Sequence, residues 1–171
     1  IVNGSLGSET INNVYKKFLQ VVDDEPYEFL YVTGKSFYND FIKDITYPKN
    51  VHIVPFIDGM SGLLKNTDLI ISRAGASTIS EILALKVPSI LIPSPYVANN
   101  HQYYNALDLV HLNVSVMLEE KNLNTEKILM TIKDIMTTNK YQEMKDNLNK
   151  LNMSSSSDII YNEIMKVCKN G

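Results

Sequence analysis

Residues 72–106, SRAGASTISEILALKVPSILIPSPYVANNHQYYNA, decide the fold of this chain. They follow the apolar run at residues 69–71, and an apolar run that ends in small residues before a helical pattern predicts a buried parallel strand, a turn and a helix. A second apolar run at residues 88–92 leads into the polar start of another helix. This alternation predicts an α/β protein, because a helix between two strands returns the chain to the same end of a parallel sheet.

The turn after the first of these strands has the composition of an anion site. Its small residues let a ligand approach free backbone N–H groups at the start of a helix; they are Ala74, Gly75, Ala76, Ser77 and Thr78. The positive end of the helix dipole and the two hydroxyl groups favour a phosphate there. Turns of this kind also serve packing alone, and that alternative stays open.

Glu81 lies one turn into the same helix. A carboxylate at this position can accept hydrogen bonds from the vicinal hydroxyls of a ribose while a diphosphate sits at the helix start. The turn and the acid together therefore fit a nucleotide. A Glu in the first turns of a helix is also ordinary compensation for the helix dipole, which is the alternative interpretation.

Polar residues follow the second strand as well. They open the next helix and are Asn99, Asn100, His101, Gln102 and Asn105. In an open α/β sheet, ligands bind at the carboxyl ends of the strands. We therefore expect the loops after both strands to line one crevice.

The composition is that of an ordinary globular domain. The chain has 171 residues, 44% of them hydrophobic, which suits one domain with a real core. The net charge of −3 argues against nucleic-acid binding, and no apolar run reaches the ~18–20 residues of a membrane span. The single Cys168 excludes an internal disulfide and fits a reducing cytoplasm.

Strands alternate with helices along the whole chain. We predict six strands, at residues 1–2, 28–33, 51–54, 68–71, 88–92 and 114–118. Helices are predicted at residues 10–23, 34–45, 59–65, 77–85, 99–111, 124–136 and 141–151, followed by a last helix up to Lys169. Asp58 and Asn124 are the expected N-caps of the third and sixth helices. The fold should be a doubly wound six-stranded parallel sheet with every strand-to-helix loop at one edge.

The chain is interpreted as one domain over residues 1–171, with a core at residues 1–151 and a C-terminal helix at residues 152–171. Ile1-Val2 has the pattern of the end of a strand. We therefore interpret the chain as a fragment or an excised domain.

Three blocks of the sequence resemble glycosyltransferase family 28: residues 3–8 (NGSLGS), residues 56–60 (FIDGM), and residues 72–106 with Asn-His-Gln-x-x-Asn-Ala at 100–106. The resemblance is to the C-terminal, donor-binding half of the GT-B enzymes that move N-acetylglucosamine from UDP-N-acetylglucosamine to the membrane-bound lipid I in bacterial peptidoglycan (cell wall) synthesis. It implies a Rossmann-like donor domain of an inverting, metal-independent hexosyltransferase, which serves cell shape and cell division.

The resemblance also implies where the donor binds. Ser5 is expected to contact the diphosphate through its hydroxyl. Phe56 and Ile57 are expected to pack against the uracil. His101 and Gln102 would hold the sugar. The predicted UDP-N-acetylglucosamine site comprises Ser5, Phe56, Ile57, Met60, Gly75, Ala76, Ser77, Thr78, Glu81, His101, Gln102 and Asn105, the last fixing its helix. For Arg73 two readings stay open, a phosphate partner or a solvent-facing side chain.

No catalytic residue, metal site or cofactor is predicted in this chain. His101 has neither a Ser or Cys nucleophile motif nearby nor a second His at ligand spacing, so neither a triad nor a metal site can be built. In the family, the base that deprotonates the acceptor belongs to an N-terminal acceptor domain, which we interpret as absent from this chain. That domain would bind lipid I and contact the membrane, at the cytoplasmic face of the inner membrane.

Two alternative functions stay open. One is another UDP-sugar enzyme of the same fold, such as a glycolipid glucosyltransferase or an epimerase. The other is a non-catalytic donor-binding subunit that docks a membrane partner. The block at residues 100–106 weighs against the first, and the strand-end pattern of Ile1-Val2 weighs against the second.

Overall fold

The computed structural model describes residues 1–2 and 9–151. Its strands are β1 (Phe29–Val32), β2 (Val51–Val54), β3 (Ile70–Ser72), β4 (Ser89–Leu91) and β5 (Ser115–Met117). Its helices are α1 (Glu9–Leu19), α2 (Tyr38–Ile42), α3 (Met60–Leu64), α4 (Ala76–Leu85), α5 (His101–His111), α6 (Thr125–Thr137) and α7 (Lys140–Lys150). Short 3₁₀ turns precede α5 at Ala98–Asn100 and α6 at Glu120–Asn122.

All strand pairs are parallel, and Val2 joins the two halves of the sheet. β1 pairs with β2, and β4 lies between β3 and β5. Val2 forms single bridges with Val32 on one side and Ser72 on the other. The order across the sheet is therefore β2, β1, Val2, β3, β4, β5. The chain runs outward in one direction from Val2 and then in the other, and such a reversal point is where open α/β sheets bind ligands.

The α/β class and the parallel sheet are confirmed, but the count of six strands is not. The described residues form five strands, and the sixth predicted position is a bridge at Val2. Only Ile1 and Val2 of this strand are among the described residues, so its ladder is one residue long on each side. Its backbone is nevertheless bonded, because Val2 N–H donates to the Ile71 carbonyl at 2.8 Å.

Several predicted boundaries were wrong because turns intervene. The helix expected over residues 34–45 is limited to α2, since Gly34 (φ +82°) and Asp44 (φ +57°) have left-handed backbones on either side of it. Asp58 does not cap α3, because Gly59 (φ +77°) stands between it and the helix. The predicted last helix up to Lys169 lies outside the described residues.

Both faces of the sheet are covered, as a doubly wound fold requires. Alternate strand residues point to opposite faces. Ile71 and Ile90 belong to one buried cluster, with α1 and α6, and Ile70 and Leu91 belong to the other, with α4 and α5. Helices on both faces leave the two edges at the strand ends open to solvent, so a ligand has access there.

Candidate functional site

The turn between β3 and α4 leaves free backbone donors at the carboxyl edge of the sheet. Gly75 is the N-cap residue of α4 with φ −70° and ψ 149°, and no side chain caps the helix there. The first backbone bond of the helix runs from Ile79 N–H to the Gly75 carbonyl. The N–H groups of residues 76–78 therefore have no partner within the helix. This is the local arrangement that the sequence predicted for an anion.

Two side chains stabilise this turn and its surroundings through hydrogen bonds within the protein. Asn105 Nδ2 donates to the carbonyl of Ala74, which is fully buried, at 3.0 Å. Arg73 Nη1 donates to the Ile92 carbonyl at 3.2 Å and pairs with Glu120 Oε2 at 2.7 Å. The solvent-facing reading of Arg73 is therefore wrong, because its side chain is largely buried and its charge is directed to a carboxylate of the protein.

Gln102 lies close to the turn and is already partly engaged. Its Oε1 accepts a hydrogen bond from Ser94 N–H at 2.9 Å, which ties the β4–α5 loop to α5. The amide NH₂ group has no partner among the described residues and can donate to a ligand. Gln102 can thus act as a donor toward the site, because its acceptor is used within the protein.

His101 begins α5 and is exposed. Its Nδ1 lies 2.9 Å from the Ala98 carbonyl. A carbonyl oxygen only accepts hydrogen bonds, so Nδ1 carries a proton and Nε2 is the acceptor of the neutral ring. In this tautomer the exposed ring can accept a hydrogen bond from a ligand through Nε2.

The start of α5 differs from the predicted helix at residues 99–111. Asn99 (φ +52°) and Asn100 (φ +51°) both have left-handed backbones, which Asn tolerates better than most residues. The α-helix consequently begins at His101, after the 3₁₀ turn. This bend is what places His101 and Gln102 in the first turn of α5.

A second group of predicted residues follows β2. Phe56 is 55% exposed, and Ile57 is half-buried. The Lys35 ammonium, from the turn after β1, lies 5.1 Å from the centre of the Phe56 ring. Lys35 was not among the predicted site residues, although its position directly after a predicted strand and a glycine was an available signal.

The structure brings most of the predicted residues to one edge of the sheet. Gly75, Ala76, Ser77, Thr78 and Glu81 follow β3, and His101, Gln102 and Asn105 follow β4. Glu81 is half-buried in α4. Met60 begins α3, but its side chain, like Ser5 as a whole, lies outside what the structure describes. Across the described ranges no group of His, Cys, Asp and Glu side chains could hold a metal ion.

A cavity of about 410 Å³ lies at the opposite edge of the sheet. Ile1, Leu30 and Leu69 are among its lining residues, and they lie at the amino ends of the strands. It is therefore separate from the predicted site, which is an open surface at the carboxyl edge. We assign it no function, because ligands of open α/β sheets bind at the other edge.

Tyr15 of α1 is buried close to Arg73 and Glu120. Burial raises the pKa of its phenol well above the usual value, and the neighbouring Tyr31 raises it further. Arg73 lowers this pKa and Glu120 raises it, so the two charges act on Tyr15 in opposite directions. The charges of the ion pair thus act on a buried side chain of α1.

Among the described residues, no helix is long and apolar enough to cross a membrane. A parallel sheet with helices on both faces and an uncapped helix start at its reversal point defines a Rossmann-like α/β domain. The chain matches the Glycosyltransferase family 28 C-terminal domain over residues 1–160 and belongs to this family.

Relatives of known name support this assignment. The chain is 40% identical to the UDP-N-acetylglucosamine–N-acetylmuramyl-(pentapeptide) pyrophosphoryl-undecaprenol N-acetylglucosamine transferase of Halalkalibacterium halodurans, over 99% of the chain and 48% of the relative. It is 39% identical to transferase 1 of the same name from Bacillus cereus, with the same coverage. The chain thus spans about half the length of the curated relatives it matches.

Solved structures agree on the fold. The crystal structure of Acinetobacter baumannii MurG superposes with a TM-score of 0.80 at 22% identity, over 96% of this chain and 50% of that one. Glycosyltransferase VinC in complex with dTDP superposes with a TM-score of 0.71 at 15% identity, over 99% of this chain and 41% of that one. The predicted family and the Rossmann-like fold are therefore confirmed.

Proposed function

We propose that this chain binds UDP-N-acetylglucosamine as the donor half of a glycosyltransferase that adds N-acetylglucosamine to lipid I in peptidoglycan synthesis. The observation that carries the proposal is the uncapped start of α4 at the reversal point of the sheet, with Glu81 one turn further on. The names of the relatives support the choice of sugar and acceptor.

The donor would lie along the carboxyl edge of the sheet. Its diphosphate would accept hydrogen bonds from the start of α4, its ribose would contact Glu81, and its uracil would pack on Phe56. Phe56 follows β2 and the α4 turn follows β3, three strand positions away, or about 14 Å at ordinary strand spacing. An extended nucleoside diphosphate spans this distance.

The sugar would then reach His101 and Gln102. Their acceptor and donor groups suit the hydroxyls of a hexose. The N–H groups and dipole at the start of α4 would stabilise the UDP that leaves, which is the electrostatic share of catalysis. In this proposal the acceptor, the base and the membrane contact at the cytoplasmic face of the inner membrane belong to an N-terminal half.

The first prediction is that the chain binds UDP weakly, with a Kd on the order of 0.1–1 mM, because the site is an open surface that leaves the ligand partly exposed. Titration calorimetry and a thermal-shift series measure this. ADP serves as the control ligand, since it carries the same diphosphate on a different base. Absence of heat and of any thermal shift up to several millimolar UDP would refute the proposed function.

The second prediction concerns Glu81. Glu81→Ala should weaken UDP binding by more than ~1 kcal/mol, because charge-assisted hydrogen bonds to the ribose are lost. Glu126→Ala is the control, since it removes a glutamate from the first turn of a different helix, α6. Equal UDP affinity of Glu81→Ala and wild type, with intact circular dichroism, would show that Glu81 does not contact the ribose.

A further inference from the structure

Arg73 and Glu120 form an ion pair that bridges three neighbouring strands. Arg73 directly follows β3, Ile92 directly follows β4, and Glu120 lies three residues beyond β5. Arg73 Nη1 contacts both the Ile92 carbonyl and the Glu120 carboxylate. The two charged side chains are only 14% and 6% exposed. All three strand ends are thus held together at the carboxyl edge.

Stability alone does not explain this pair. Buried ion pairs contribute little net stability, because the loss of hydration of both charges offsets their attraction. Glu120 Oε1 is buried and has no hydrogen-bond partner among the described residues, which satisfy only the other carboxylate oxygen. An apolar pair of similar volume would be as stable. A buried pair of this kind is better suited to fixing one arrangement of the backbone around it.

The arrangement it fixes is that of the candidate donor site. Arg73 immediately precedes Ala74 and Gly75, whose turn presents the N–H groups of α4. The Ile92 carbonyl, to which Arg73 donates, immediately precedes the loop that Ser94 and Gln102 tie to α5. The pair therefore connects the turn before α4 to the loop before α5.

We propose that Arg73 and Glu120 are positioning residues for the diphosphate of the donor, acting through the turn at residues 73–75, and that Arg73 is not itself a phosphate ligand. The inference rests on the proposed function, since it names how the same site is held in place. Glu120 neutralises Arg73, so the positive potential at the diphosphate comes from the start of α4.

The test removes both charges together. Arg73→Met/Glu120→Met keeps the net charge of the chain and approximate side-chain volume. We expect its Tm to stay near that of the wild type, and its Kd for UDP to rise about tenfold, because a displaced turn no longer meets the phosphates. Affinity for uridine, measured by ligand-observed NMR, should not change, since uridine lacks the diphosphate. Glu119→Met/Lys121→Met is the matched control, an exposed ion pair in the same segment, and should change neither affinity.

The single variants distinguish a positioning role from direct contact. Glu120→Met frees the Arg73 charge, so a phosphate-binding Arg73 would keep or gain UDP affinity, whereas a positioning pair loses it. Arg73→Lys keeps the charge and should retain the Tm while losing part of the UDP affinity.

Unchanged UDP affinity of the stable double variant would overturn the inference, and so would its failure to fold, which would make the pair a requirement of the fold. A parallel loss of UDP and uridine affinity would also overturn it. Absence of UDP binding by the wild type would overturn the proposed function, and the inference with it.

Discussion

The 171-residue chain alone should transfer no N-acetylglucosamine to lipid I at any donor concentration, whereas a fusion to the N-terminal half of the Halalkalibacterium halodurans relative should do so. Among the described polar residues of the edge, Asn105 holds the turn and Gln102 ties the β4–α5 loop to α5, and the proposed function assigns the others to the donor. Loss of a general base typically costs ~10²–10⁴ in rate, and the acceptor site with its proximity effect is lost as well.

Transfer is measured with radiolabelled UDP-N-acetylglucosamine and a soluble lipid I analogue. The fusion should remain active in EDTA, because the start of α4 takes the place of a metal at the diphosphate. Turnover by the isolated chain would contradict the assignment of the base and the acceptor site to the N-terminal half. His101 would then again be a candidate for the general base. Loss of the fusion's activity in EDTA, restored by added Mg²⁺, would contradict the role given to α4.

Gly75→Val should weaken UDP binding by about 1–3 kcal/mol without harming the fold, since inserted methyl groups clash by this amount in a closely fitted contact. Among the described residues, a Cβ on Gly75 meets no atom within 4 Å, and its φ of −70° suits other residues. A side chain at this position would therefore obstruct a ligand that approaches the turn without clashing with the described part of the protein.

The Gly75→Val variant is compared with the wild type by two measurements. Calorimetry gives the Kd for UDP, and thermal unfolding gives the stability. Ala84→Val is the matched control, because Ala84 is exposed near the other end of α4, roughly 13 Å along the helix. A Gly75→Val variant that binds UDP as tightly as the wild type would show that the diphosphate does not use this turn.

Local features of the fold were predictable because short-range chemistry determines them. The small-residue turn predicted a helix at residues 77–85, and α4 occupies Ala76–Leu85. Asn124 was predicted to cap the sixth helix, and its Oδ1 accepts from Lys127 N–H at 2.8 Å. The alternation of strands and helices predicted parallel pairing, which all the described strand pairs show.

Partners distant in sequence were not predictable from patterns. Glu120 lies 47 residues after Arg73, and each looks like an ordinary surface charge until the strands bring them together. The engagement of Gln102 with Ser94 likewise depends on the path of a loop that two left-handed Asn residues bend. Such contacts follow from tertiary packing, so the sequence indicated that the site exists but not how its groups are held.

The junction that Ile1 and Val2 form between the two halves of the sheet has a mechanical consequence. Phe56 and Lys35 stand on the half of the sheet formed by β1 and β2, whereas Gly75, Glu81 and Gln102 stand on the half formed by β3, β4 and β5. A nucleotide that contacts residues of both halves would hold the two halves of the sheet together. Nucleotide affinity and the stability of the contact between the two halves would then be thermodynamically linked. A change that weakens this contact would weaken nucleotide binding without altering a residue that contacts the nucleotide.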